Sequence, residues 1–293
     1  MARALVLLLA LAAGCRPSDA PPPGLPGGGR VAFVVDRLTR VDRDIFVLED
    51  PAQAPWALAS GGGTNEAPAW SPEGRALLFS RNVDGLKGMF LWEEGREIER
   101  VSSAPYVDMA PSWSPDGRHV AVMSLRDENW EIYVLRADGS GEGVRLTEND
   151  ADDQWPAWSP AGDRIAFVSD RDGDPDLWWT DPEGKKVERL TTDRFADGRP
   201  AWSPDGRRIA WSSERDGKAA VFVMDHDGRN VRRLTSREHE AVDPAWSPDG
   251  RHLVFVGTRD GFRELYLVAS DGSGERRLTE LRGNARQPAW GRR

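Results

Sequence analysis

The chain has 293 residues, 48 acidic and 39 basic side chains, a formal net charge of −9, one cysteine and 13 tryptophans. That length suits one large domain or two ordinary ones, and the acidic balance excludes the basic footprint that nucleic-acid binding needs. A single cysteine excludes an internal disulfide framework, a multi-cysteine zinc site and an iron–sulfur cluster.

Residues 1–14 read as an export signal. Arg3 supplies the positive start, Ala4 to Ala13 form a short apolar run, and small residues lead into Cys15. The run falls short of the roughly 20 apolar residues that span a bilayer, and no later segment approaches that length. No transmembrane helix is therefore expected. The run Leu11-Ala12-Ala13-Gly14-Cys15 resembles the bacterial lipoprotein signal, with Ala12 standing where that pattern prefers leucine. The resemblance implies lipidation at Cys15, and Arg16 in place of an aspartate implies outer-membrane attachment facing the periplasm in a cell with two membranes. The alternative is an ordinary cleaved signal with an incidental cysteine.

Residues 15–29 continue as a lipidated cysteine and a proline- and glycine-rich tether, with Leu25 its only large apolar side chain. Such a segment reaches up to about 45 Å at roughly 3.1 Å per residue. It would hold a domain spanning 30–293 just off a membrane surface.

Within 30–293 the phrase Pro-Ala-Trp-Ser-Pro-Asp-Gly, or a close variant, recurs with tryptophan at 70, 113, 158, 202 and 246, and a final copy stops at Trp290. The spacings are 43, 45, 44, 44 and 44 residues. Internal repetition at that period marks a repeat architecture. Strand one of each unit ends in Ala-Trp, and a Ser-Pro-Asp-Gly turn follows, with proline pre-setting φ and glycine accepting positive φ. Strand two is apolar, as in Arg164-Ile-Ala-Phe-Val-Ser169. A loop around Arg-Asp-Gly leads to strand three, and an Asp-Gly or Glu-Gly turn leads to strand four, which ends in Leu-Thr. Four antiparallel strands in about 44 residues describe a propeller blade, and no segment carries helical periodicity.

The ends set the number of blades. Val31-Ala-Phe-Val-Val-Asp-Arg37 matches Ile165-Ala-Phe-Val-Ser-Asp-Arg171, so the chain enters at strand two and leaves, at Trp290, on strand one. The fold expected is all-β: a six-bladed β-propeller of four-stranded antiparallel blades. Its ring is closed by the C-terminal strand joining the N-terminal blade, which removes open edges.

The Pro-Ala-Trp-Ser-Pro-Asp-Gly phrases at 200–206 and 244–250 resemble the propeller repeat of the TolB family, and more distantly the propellers of the prolyl oligopeptidase and tricorn protease families. The resemblance runs over residues 31–290. TolB carries an α/β domain before its propeller, whereas here the signal, Cys15 and tether occupy that place. The resemblance implies an exported envelope protein that binds a protein partner, as TolB engages a peptidoglycan-associated lipoprotein.

Residues able to carry chemistry are few. The six repeated tryptophans are expected to pack between blades, since a repeated aromatic fills the widening gap of the fan. Trp130 and Trp155, in connecting segments, are candidate exposed binding residues. His119, His226, His239 and His252 spread around the ring, and no Gly-x-Ser-x-Gly elbow occurs, so no catalytic residue and no cofactor is assigned. Asp170, Asp172, Asp174 and Asp176 form a weak calcium candidate that lacks the glycine and glutamate placement of an EF-hand loop. Otherwise no metal site is assigned.

Comparing units gives a better signal. The loop entering strand one carries Glu66, Asp108, Asp152, Asp153, Asp197, Glu240 and Asp243, within four residues before each proline. The loop between strands two and three, on the same face, carries Arg37, Arg81, Arg126, Arg171, Arg215 and Arg259. One reading is mutual pairing, each arginine tying a neighbouring acidic loop. The other is a negative mouth that attracts a basic peptide or protein. The function expected is a non-enzymatic, monomeric envelope scaffold binding a protein partner through these channel-face loops. The alternatives are a lyase or hydrolase acting in the channel, and a glycan or small-ligand sensor using Trp130 and Trp155.

Overall fold

The structure is a computed structural model and describes residues 24–25, 29–37, 42–61, 63–83, 85–102, 105–259, 261–281 and 283–293. The expected signal and Cys15 lie outside the described residues.

Among the described residues the chain is all strand, without a helix. It begins with β1 (Arg30–Arg37), β2 (Arg43–Leu48) and β3 (Trp56–Ala59). Blade two is β4 (Thr64–Trp70), β5 (Ala76–Val83), β6 (Leu86–Glu93) and β7 (Glu99–Arg100). Blade three is β8 (Asp108–Trp113), β9 (His119–Ser124), β10 (Glu131–Arg136) and β11 (Val144–Arg145). Blade four is β12 (Asp153–Trp158), β13 (Ile165–Ser169), β14 (Asp176–Thr180) and β15 (Val187–Arg189). Blade five is β16 (Ala201–Trp202), β17 (Arg208–Ser213), β18 (Ala220–Asp225) and β19 (Arg232–Arg233), and blade six is β20 (Glu240–Trp246), β21 (His252–Arg259), β22 (Phe262–Ala269) and β23 (Arg276–Arg277). The last strand, β24 (Gly283–Gly291), returns to pair antiparallel with β1, giving the order β24-β1-β2-β3 in blade one. The ring of six four-stranded blades closes as the repeat arithmetic requires.

Strand two of each blade is a continuous apolar run because both its faces are covered. In β1, Val31, Phe33 and Val35 pack with Val254 and Val256 of blade six, while Ala32 and Val34 pack with Leu77 and Phe79 of blade two. The same division repeats around the ring, which places a hydrophobic core in each interface between blades. Leu25, expected in a free tether, is buried in the core between blades six and one.

The turns follow from their residues. In blade three the Ser114 hydroxyl donates to Asp116 Oδ1 at 2.5 Å and accepts from the His119 amide at 2.9 Å, while Asp116 accepts from the Arg118 amide at 3.0 Å. Blades five and six repeat this around Ser203 and Ser247. The Leu-Thr that ends blades three to six is used as well. Thr147 Oγ1 accepts from the Ile132 amide at 2.9 Å and donates to the buried Glu131 at 2.5 Å. Thr191 and Thr279 do the same with Asp176 and Glu264. Each threonine thus caps a buried acid and continues the ladder of strand three.

Candidate functional site

The innermost strands line the central channel, and their two ends differ. At the far end, Pro-Ala-Trp-Ser-Pro segments from around the ring enclose an open cavity of about 570 Å³. The tryptophans pack between blades as expected, and three of them bridge to the preceding blade. The indoles of Trp113, Trp202 and Trp246 donate to the carbonyls of Ala69, Ala157 and Ala201 at 3.1, 3.0 and 3.1 Å. At the seam, Gly291 lies where any Cβ would stand 2.3 Å from the Trp70 ring, so only glycine fits against blade two. There the Arg30 guanidinium stacks 4.1 Å from the Trp70 centroid and donates to the Gly74 carbonyl.

Midway along strand one the backbone is strained in a regular way. Ala67, Ala110, Trp155, Asp243 and Gln287, each just before a channel proline, have φ of 49, 52, 55, 53 and 48°. The ladders to strand two shift register at the same place in blades two, three, four and six, and β1 shifts opposite it in blade one. Proline offers no amide to the ladder, and a bulge absorbs the missing bond. The sixth pre-proline residue, Arg199, departs from this pattern: strand one of blade five shrinks to Ala201–Trp202, preceded by an isolated bridge between Asp197 and Ser213.

At the near end the predicted acids divide. Asp108, Asp153 and Asp197 are buried and held by arginine within their own blade. Arg126 reaches Asp108 at 2.9 Å, Arg171 reaches Asp153 at 2.8 Å, and Arg215 reaches Asp197 at 3.2 Å. A serine at the end of strand two accepts from the same guanidinium in each case (Ser124, Ser169 and Ser213, at 3.0, 2.8 and 3.0 Å). Arg171 and Arg215 lie over aromatic rings of strands two and three, as Arg215 does over Trp211 and Phe222 at 5.1 and 4.9 Å, and Arg126 lies over Tyr133 of strand three and Tyr106 of the preceding loop. Burial pushes the Asp153 carboxyl above its ordinary value, against the opposing pull of Ser169 and Arg171. The expected ties between neighbouring loops are thus internal clamps in these three blades, because the paired acid and serine face each other across one hairpin.

Blades one, two and six lack this clamp. Ala285 and Ala241 replace the acid, opposite Val35 and Gly257. In blade two Glu66 faces Ser80 but pairs with Arg43 of blade one, while Arg81 falls one residue early and binds Asn65 at 2.7 Å. The side chain of Arg37 lies outside the described residues, and Arg259 pairs with Glu238 at the surface, 2.8 Å away. Glu240 is exposed, Asp152 and Asp243 are half-buried, and Asp152 accepts from the Trp130 amide at 3.0 Å.

The four aspartates proposed for calcium do not converge. Asp176 is buried against Arg189, Asp172 pairs with the same arginine at 2.7 Å, Asp170 accepts from the Asp152 amide, and Asp174 is exposed. No group of three or more acidic, histidine or cysteine side chains is placed to hold a metal among the described residues. Trp130 and Trp155 are half-buried against the core between blades three and four. Sequence reasoning missed Arg199, which lines the cavity and whose Nη1 is buried without a hydrogen-bond partner. The signal was there in principle: an arginine stands at 199 where the other units carry alanine, tryptophan, aspartate or glutamine.

Residues 91–293 match the model of the TolB beta propeller domain. The chain belongs to the TolB propeller family. Among solved structures, TolB from Acinetobacter baumannii is similar with a TM-score of 0.79 and 24% identity, over 90% of this chain and 67% of that one. A putative TolB from Agrobacterium tumefaciens aligns with a TM-score of 0.72 and 25% identity, over 89% of this chain and 92% of that one. The hydrazine synthase of Kuenenia stuttgartiensis shares the fold at a TM-score of 0.75 and 13% identity, over 92% of this chain and 47% of that one. A comparison with curated proteins gives no match. This TolB-type ring therefore shares its architecture with proteins of unlike function, and its own function rests in its loops and channel.

Proposed function

We propose that this TolB-type propeller is an exported, lipid-anchored envelope scaffold that binds a protein partner through the loops at the acidic mouth. Residues 1–14 act as the signal, Cys15 carries the lipid, and the segment between Cys15 and the buried Leu25 spaces the ring from the membrane. One observation carries the binding assignment. The buried Asp108, Asp153 and Asp197 clamps pin the loops entering strand one, while the exposed Glu240 and the half-buried Asp152 stand beside them with no ion pair among the described residues. A rigid rim loses little conformational entropy on binding, and its unpaired acids favour a basic partner surface. The protein acts as a monomer without a cofactor.

The test is photocrosslinking in intact cells from a reactive residue placed at the exposed Asp174, in the neighbouring loop of blade four. A discrete protein adduct that disappears on combined Asp152→Lys and Glu240→Lys reversal is the expected result. An adduct indifferent to both reversals, or none, rejects the acidic mouth as the docking face. Metabolic labelling with a fatty acid, lost on Cys15→Ser, checks the anchor separately.

A further inference from the structure

The opposite end of the channel has the opposite sign. The chain carries a net charge of −9, yet no carboxylate lines the cavity of about 570 Å³; its charged residues are Arg199 and Arg292 among prolines, alanines, serines and tryptophans. Arg199 is the lining residue farthest along the chain from the Ser-Pro turns, so it stands at the cavity's inner end. Its side chain is partly accessible through the cavity, but Nη1 is sealed off and makes no hydrogen bond. The guanidinium lies 5.7 Å from the centre of the Trp155 ring. A buried cation is ordinarily paired, because desolvating it alone is costly. The counter-charge that acts on it, Asp243, accepts from the Gln287 amide through Oδ2 at 3.2 Å and forms no ion pair with Arg199 among the described residues. Burial pushes the guanidinium below its ordinary value, and Asp243 restores only part of that. The local backbone is arranged for this residue too, since Arg199 is the pre-proline position that abandons the left-handed bulge of the other five.

We propose that Arg199 is the anchor of a carboxylate-binding site, and that the Pro-Ala-Trp cavity receives an extended peptide bearing that carboxylate. A planar guanidinium with free donors recognises a carboxylate in a bidentate fork, and the pair is strengthened where water is excluded. The surrounding prolines and tryptophans present the shape and apolar faces that a short extended segment needs, and the cavity volume lies within the range of ligand sites. The carboxylate belongs either to an acidic side chain or to the end of a chain. Of the acids expected at the other mouth only Asp243 acts on Arg199, and neither Asp152 nor Glu240 lines this cavity, so its test and the charge reversals at the acidic mouth read out different residues.

Calorimetric titration of the full chain at low salt separates the possibilities with three probes. These are acetyl-Ala-Pro-Ala-Pro with a free C-terminal carboxylate, the same peptide amidated, and acetyl-Ala-Pro-Glu-Pro amide. At least one carboxylate peptide is expected to bind ten-fold or more tightly than the neutral amide, and which one does so names the source. Arg199→Gln is expected to reduce its affinity at least ten-fold, to the level of the neutral peptide. If that variant does not fold, Arg199→Lys keeps the charge, loses the fork and should weaken binding several-fold. Equal binding of the neutral peptide, unchanged affinity in the folded Arg199 variant, or no binding of either carboxylate peptide at millimolar concentration overturns the proposal.

Discussion

The two ends of the innermost strands obey different rules. At the tryptophan end, blade after blade supplies the same chemistry, with a ring wedged against the preceding blade and a proline turn below it. At the other end, blades three, four and five carry a buried Asp–Ser–Arg clamp, blade two carries a rearranged version, and blades one and six carry alanine instead. The difference teaches that ring closure demands repetition, because each blade must fit an identical neighbour. The loop end has no such demand once a blade is rigid. Blade six shows what replaces a clamp: a Cβ at Gly257 would stand 2.6 Å from the Tyr266 ring, so serine does not fit there. His239, buried nearby against Tyr266 at 4.9 Å and bound to Glu275 at 3.0 Å, occupies that region.

The hardest test of the repetitive end is removal of residues 283–293, which deletes β24 and opens the ring. We expect loss of the cooperative unfolding transition in urea, since the seam's core loses Ala285 and Trp290 and the edge of β1 is exposed. A truncated chain with an intact transition would show that six copies are not required.

The clamped end is tested by contrast between blades. Asp153→Ala removes the buried partner of the half-buried Arg171 and should cost about 3 kcal/mol, toward the lower end for broken buried pairs. Arg259→Ala, at the corresponding loop of blade six, removes only a surface pair and should cost about 1 kcal/mol or less. Similar urea midpoints for the two variants would erase the distinction drawn between blades.

A smaller effect distinguishes tryptophans that look alike in sequence. Trp202→Phe removes the hydrogen bond to the Ala157 carbonyl as well as ring area, whereas the Trp158 indole nitrogen is buried without an acceptor. The Trp202 variant should therefore lose about 1 kcal/mol more than Trp158→Phe, the net worth of one hydrogen bond.

The smallest effect is a titration at the clamped end. Burial, and then the hydrogen bond to Asp127, raise Tyr133 from 10.0 to about 12. An acid whose folded value is raised keeps its proton after the unfolded chain has lost it, so the resulting loss of stability sets in only as pH climbs from about 10 to about 12. Absorbance near 295 nm, set against Tyr133→Phe, should show one tyrosine ionising late; no late component would mean that the hydroxyl is not buried against Asp127.

Much of this molecule is legible in its sequence because the determining chemistry is local and repeats. Turn serines and aspartates, the apolar second strand, the tryptophan period and the half-blades at each end together specify six four-stranded blades and their closure. What the period does not encode is which charges meet. The same acidic position is a buried clamp at Asp153, an inter-blade tie at Glu66 and alanine at 241, and those outcomes depend on the strands packed around each one. The tether likewise reads as free, yet Leu25 finds a core between blades. Only the tertiary structure turned five pre-proline residues into left-handed bulges, left Arg199 outside that pattern, and collected the repeated prolines into a cavity without a carboxylate. The physical reason is distance: hydrogen bonds within a turn span a few residues, whereas the field at a channel side chain is set by groups brought together from all six blades.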